Sequence, residues 1–297
     1  MRPVVLLRTL SSLTLGFALP VLCAAQDWDG MTLAKGWARQ DVTGALTFRE
    51  GNTLRTWTKD GSLSGAVDIS KVEGTPEFWL LDAWDNAWVV SGTSLTCIDK
   101  SGKLVRKDNL PAAVADLAWD ASGFYLSYRT DSYFLEKREY KKGDVLWSAG
   151  TKPKKGEPAA PRLYRIACSN TGQIVMSLGA DLNFTMFSAS NGKAVGQTAL
   201  ALANAPLPPL QAIAPDRQSL IWLDSSAQLL AALPASQLAP SIKGSLTGLI
   251  LARADFSKGS LELVHTGLDE ATTFVGAQDA EVAFCKPGGG LVFLKLK

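Results

Sequence analysis

Histidine is almost absent from this sequence: His265 stands alone among 297 residues. A catalytic triad or metal cluster that needs an imidazole must be built around that one side chain. It lies at strand spacing from Leu261 and Leu263, on the same face as both, which reads as a packed or interfacial histidine. Cysteine is scarce too. Cys23, Cys97, Cys168 and Cys285 show no C-x-x-C spacing, which excludes a disulfide-dense scaffold and the common zinc and redox motifs. At least two of the last three read as buried apolar thiols, with one bridge left open. An excess of one charge is also lacking: 30 Lys+Arg face 28 Asp+Glu. No general pull on nucleic acid follows from that balance, and no nucleic-acid partner is expected.

Residues 1–25 read as a removable secretory signal. Arg2 and Arg8 precede an apolar run from Thr9 to Leu22, and the small residues Cys23, Ala24 and Ala25 follow. A lipoprotein signal using Cys23 is the alternative, but Leu22 stands where such a signal wants a small residue. Outside this segment no run approaches the ~20 apolar residues of a membrane helix, so no transmembrane span is expected. The expectation is an exported chain, periplasmic or secreted and bacterial, with residues 26–297 as one domain. An apolar fraction of 46% in a chain this long supports a substantial core.

What is present is a repeat. A polar-Gly turn between apolar runs recurs as Thr56–Gly65, Cys97–Val105, Arg138–Trp147 and Phe187–Val195, with Gly61, Gly102, Gly143 and Gly192 separated by 41, 41 and 49 residues. The Pro-, Gly- and Lys-rich insert at 151–162 lengthens the third interval and reads as a surface loop. Residues 230–240 look like a degenerate fifth copy. A second mark falls between these turns: a small or aromatic residue, an Asp, Asn or Pro turn, then a new apolar run. It starts at Ala83, Ala118, Ala167, Ile213, Ala252 and Phe284, with a weak member at Arg39. Two turns per ~40–50 residues imply four short strands per unit. Such units stack side by side around an axis, which predicts an all-β propeller of about seven, alternatively six, four-stranded blades. In the seven-blade reading, residues from about 26 to 40 complete the final blade.

Side chains at the turns divide by role. Asp85, Asp120, Asp216 and Asp255 recur once per unit, and a requirement that repeats with every blade is structural: an Asp carboxylate accepts backbone N–H groups in a tight turn. Eight of the nine tryptophans precede residue 150. Among them Trp84 and Trp119 occupy one repeat position, near the end of the innermost strand at the channel mouth, where a ring can meet a sugar, a peptide or an apolar partner side chain; packing between blades is the competing role. Lys100–Arg165 holds 14 basic against 8 acidic residues. That excess reads as solvated outer strands or, alternatively, as a surface for an acidic partner. Asn183-Phe184-Thr185 is a formal glycosylation sequon, idle in a bacterium.

The segments Ser94–Leu110 and Asn183–Leu200 resemble the repeat of pyrroloquinoline-quinone-type propellers, in which an apolar strand ends in an acid and a Gly-Lys turn opens the outer strand. The resemblance covers about four units and implies a fold rather than an activity. In that family a tryptophan after the turn docks on the next blade, and only Trp147 supplies one here. The functional expectation is a non-enzymatic propeller of the cell envelope that binds a protein or small ligand at one face, with Trp84, Trp119, Lys152, Lys154 and Lys155 making the contacts and no cofactor. The alternative is a quinoprotein-, lactonase- or lyase-like propeller enzyme using channel carboxylates, a metal or a bound quinone.

Overall fold

A computed structural model of the chain describes residues 39–40, 46–57, 63–154, 165–168, 174–178, 183–199, 221–223, 228–237, 244–255, 260–278, 281–287 and 291–295. The signal segment 1–25, Trp28, Trp37, Gly61, Lys155 and Asp216 lie outside the described residues.

Among the described residues, six antiparallel sheets follow one another along the chain. Sheet I holds β1 (Arg39–Gln40), β2 (Leu46–Glu50), β3 (Thr53–Trp57) and β4 (Leu63–Asp68). Sheet II holds β5 (Phe78–Leu81), β6 (Ala87–Ser91), β7 (Ser94–Ile98) and β8 (Leu104–Asn109). Sheet III is β9 (Val114–Asp120), β10 (Gly123–Tyr128), β11 (Phe134–Arg138) and β12 (Val145–Gly150), and sheet IV is β13 (Arg165–Cys168), β14 (Ile174–Leu178), β15 (Asn183–Ser188) and β16 (Ala194–Ala199). Sheet V is β17 (Ile221–Leu223), β18 (Gln228–Pro234), β19 (Leu249–Asp255) and β20 (Ser260–Leu268), and sheet VI is β21 (Thr273–Gln278), β22 (Glu281–Cys285) and β23 (Leu291–Lys295). Each sheet is a simple meander in which chain order equals spatial order.

The first strands of the sheets stand side by side: β5 against β9, β9 against β13, β13 against β17, β17 against β21, and β21 back against β1. Sheets I and II meet through Trp79, whose indole N–H reaches the Thr47 carbonyl at 3.5 Å and whose ring lies 5.8 Å from the Arg49 guanidinium. The wheel is therefore closed, with the inner edges of the first strands gathered around the axis. First strands are innermost and fourth strands outermost.

Gly102, Gly143 and Gly192 all fall in third-to-fourth-strand turns, as their spacing predicts, and all have positive φ. The second mark lies at the first-to-second-strand turn in sheets II, III and IV. It then changes place: the copy at Ala252 spans the β19–β20 hairpin, and the copy at Phe284 spans β22–β23. The segment 230–240 ends β18 and enters a short 3-10 turn at Ala235–Gln237 rather than opening an outer strand. The copy starting at Ile213 lies outside the described residues as far as 220.

The core lies between sheets, not within one. Trp88, Phe124 and Tyr140 link sheets II and III, with Trp88 and Phe124 rings 5.1 Å apart. Tyr125, Leu135, Ile166 and Phe187 join sheets III and IV. Leu230, Leu251, Val282 and Phe284 join sheets V and VI. A sheet with two apolar faces needs this arrangement, because neither face can be left to water.

Candidate functional site

A meander alternates strand direction, so first-to-second and third-to-fourth turns leave one face of the wheel, called upper here. Connections between sheets and second-to-third turns leave the lower face. The upper face over sheets II and III carries a connected set of buried polar groups.

On sheet II the anchor is Asp82, not Asp85. Its buried carboxylate accepts the Trp84 and Asn86 backbone N–H groups, each at 2.9 Å, the Asn86 side-chain amide at 3.0 Å and the Trp88 indole N–H at 3.1 Å. Asp85 is exposed and left-handed, with φ of 62°. The loop from Asp82 to Asn86 is thereby held at several points, and it pushes Trp84 into solvent at 60% exposure.

On sheet III the equivalent anchor is Asp120. It accepts the Ser122 backbone N–H at 2.6 Å, the Gly123 N–H at 3.1 Å, the Ser122 hydroxyl at 2.6 Å and the Tyr125 phenol. Lys137, also buried, stands 3.6 Å from the Asp120 carboxylate, donates to Ser122 Oγ at 2.7 Å and to the Ala189 carbonyl of sheet IV at 3.1 Å, and lies 5.0 Å from the Tyr125 ring. Ser122 donates to Asp120 and accepts from Lys137, so the set works as a clamp between sheets. Burial, then the neighbouring Asp120 carboxylate, pushes the Tyr125 phenol well above its ordinary range.

Trp84 and Trp119 do not occupy equivalent positions. Trp119 lies inside β9, paired with Phe124 and half-buried against the core shared by sheets II and III. Its equivalent on sheet II precedes the longer Asp82–Asn86 loop, whereas Trp84 lies within that loop. Both stand toward the upper face. Lys152 and Lys154 do not. Val114 pairs with Tyr128 and Phe134 with Gly150 at the lower end of sheet III, opposite Trp119, and both lysines follow Gly150 there, exposed. The sequence-derived set is split between the two faces.

Other expected residues resolve as follows. His265 is exposed on the outer strand β20 rather than packed. Cys97 is buried and Cys168 half-buried, both as free thiols; burial, followed by the charges of Asp82 and Asp99, pushes the Cys97 thiol up to about 12. The turn role of the acids holds at Asp99, whose carboxylate accepts the Ser101 and Lys103 N–H groups at 2.9 and 3.0 Å. Asp255 ends β19. Among the described residues no group of three or more His, Cys, Asp or Glu side chains is placed to hold a metal ion, and no helix is long and apolar enough to cross a membrane.

Three features were missed in the sequence. Asp116, buried in β9, accepts the Ile166 N–H of sheet IV at 3.1 Å and so links neighbouring inner strands. Glu136 accepts from the Tyr128 phenol at 2.6 Å and the Arg138 guanidinium at 2.9 Å, and Arg138 donates to the Gly143 carbonyl at 3.0 Å and stands 3.6 Å from Asp108 of sheet II. Trp88 docks against Gly143 just as Trp147 docks against Gly192. Alternating polar residues in otherwise apolar strands, such as Glu136 and Arg138, were the available signal.

No known protein family matches this chain in sequence, and no curated protein does. In fold, 1279 chains of known structure match, so the architecture is widely shared. One belongs to the crystal structure of a mitotic checkpoint complex; it is 11% identical, with a TM-score of 0.51 over 90% of this chain and 79% of that one. At such identity the likeness speaks of fold alone. Together with the closed ring of meandering sheets, it defines the class: this chain is a β-propeller of repeated antiparallel sheets.

Proposed function

We propose that this chain is an exported, non-enzymatic β-propeller of the cell envelope that displays a protein-binding face. The observation that carries the reading is Trp84, a large aromatic ring held in water on a loop whose backbone is bonded twice to the buried Asp82 carboxylate. A rigid, exposed indole loses little entropy when a partner covers it, which is how aromatic anchors contribute binding energy. The buried acids Asp82 and Asp120 of the upper face hold turns, and Asp116, deeper in β9, holds the neighbouring sheet, which favours display over chemistry. Trp119, half-buried beside the same rim, contributes a smaller apolar surface. Export rests on the basic, apolar and small-residue order of residues 1–25.

A photo-crosslinking residue placed at position 84 in the native envelope tests the reading, with position 93, exposed in the β6–β7 turn on the lower face, as control. A discrete partner adduct from position 84 and not from 93 is the expected result. Absence of adducts at 84, or the same adducts from both positions, overturns it.

A further inference from the structure

Strand β12 is the outer edge of sheet III, and no described strand pairs with its outer side. Its sequence, Val-Leu-Trp-Ser-Ala-Gly, carries neither charge nor proline. Edge strands are ordinarily guarded by such residues. The neighbouring edge β8 carries Arg106, Lys107 and Asp108, and β20 carries Glu262 and His265. The guard on β12 is a bulge at Leu146, between the pairs Lys137–Trp147 and Arg138–Val145, and it lies at the strand's start.

Beyond the bulge no described strand covers the edge. The Thr151 N–H donates to the Tyr133 carbonyl at 3.1 Å. Antiparallel alternation then turns the N–H and C=O groups of Ser148 and Gly150 outward. The side chains from Ser148 to Gly150 are small and obstruct nothing, while Val145 and Leu146 stand 45% and 53% exposed. Exposed lysines flank both ends: Lys141 and Lys142 in the turn before the strand, Lys152 and Lys154 after it. Of the acids near that first pair, Asp144 is held by Arg106 at 2.9 Å and Glu139 is half-buried.

We propose that β12 accepts an added strand from a partner protein, an extended segment with an apolar centre and acidic residues at both ends. Main-chain bonds to Ser148 and Gly150 supply the pairing, Val145 and Leu146 the apolar contact, and the two lysine pairs the selection of ends. The same lysines disfavour a second copy of this chain. Antiparallel pairing of two β12 edges sets Lys141 and Lys142 against Lys152 and Lys154, and parallel pairing sets each pair against itself. This site is separate from the Trp84 loop, and its test is independent of that reading.

The probe is a synthetic peptide with an alternating Val-Thr centre and two glutamates at each end, titrated against the full chain by fluorescence anisotropy. Its counterpart carries lysines at the ends. The expected result is saturable binding of the acidic peptide, with the lysine peptide weaker by about tenfold or more. Ser148→Pro removes an outward N–H while sparing the β11–β12 bonds, and abolishes binding. Lys141→Glu with Lys142→Glu weakens binding by a similar factor and converts the protein to a dimer by light scattering, since each altered end now complements Lys152 and Lys154 of a second copy. If the proline variant does not fold, Lys152→Glu with Lys154→Glu carries the same test. No binding of the acidic peptide, or binding that survives these changes, overturns the proposal.

Discussion

The indole of Trp147 on sheet III fills the place a side chain would take at Gly192 on sheet IV: a β-carbon there would stand 2.5 Å from the ring atom Cε3. The same indole donates to the Ala189 carbonyl at 2.9 Å, so the ring is held by a hydrogen bond as well as by packing. One sheet earlier the Trp88 ring stands 2.6 Å from the corresponding position at Gly143, while its indole N–H donates to Asp82 of its own sheet. Trp147 thus docks on the next blade from a fourth strand, and Trp88 does so from a second strand.

Gly192→Ala and Gly143→Ala each combine a left-handed backbone with a collision against an indole, and are expected to destabilise the fold by about 3 kcal/mol. Gly92→Ala isolates the backbone part. Its φ of 57° is also left-handed, but a β-carbon there meets nothing within 4 Å, so it should cost only about 1 kcal/mol. Urea-unfolding midpoints compare the three. Equal losses would show that the docked tryptophans contribute nothing to joining the sheets.

Stability should fall at alkaline pH in two stages. Cys97 keeps its proton to about 12 in the folded chain against an ordinary 9.0, and Tyr125 and Tyr128 are held well above 10 by burial and by the Asp120 and Glu136 carboxylates. The folded state then binds more protons than the unfolded one, so these groups leave stability unchanged below pH 9 and lower it above. The limiting slope is about 1.4 kcal/mol per pH unit for each proton. Cys97→Ala should flatten the segment between pH 9 and 10 and leave the steeper fall above pH 10. An unchanged profile in that variant refutes the assignment.

Asp82 and Trp84 should separate stability from recognition. Asp82→Ala strips the acceptor from two backbone N–H groups and the buried Trp88 indole, an expected loss of about 2–4 kcal/mol. Trp84→Ala removes an exposed ring and should change stability by no more than about 0.5 kcal/mol. Thermal melts of the two variants decide it. A large loss for Trp84→Ala would mean that the ring packs in solution and is not displayed.

The turns were legible because their causes are local. Gly102, Gly143 and Gly192 adopt positive φ in turns closed by bonds such as Gly192 N–H to the Ser188 carbonyl at 2.8 Å, and a few adjacent residues determine that geometry. The anchor of sheet II was misplaced by three residues for a related reason. A Trp-Asp pair occurs at both Trp84–Asp85 and Trp119–Asp120, but β9 and β10 join through two residues while β5 and β6 join through five. Equal letters therefore fall at unequal depths, one ring in the loop and one in the strand.

By itself, the sequence determined an all-β chain of short strands whose paired turns recur at a blade's spacing, because hydrophobic alternation and turn chemistry act over a few residues. Only the tertiary structure decided which side chains meet across sheets: Trp88 on Gly143, Trp147 on Gly192, Asp116 on Ile166. It also placed Lys152 and Lys154 on the face opposite Trp119. These relationships join residues about 45 to 55 positions apart, or oppose the ends of a single sheet, and they follow from ring closure and strand direction, which no local pattern carries.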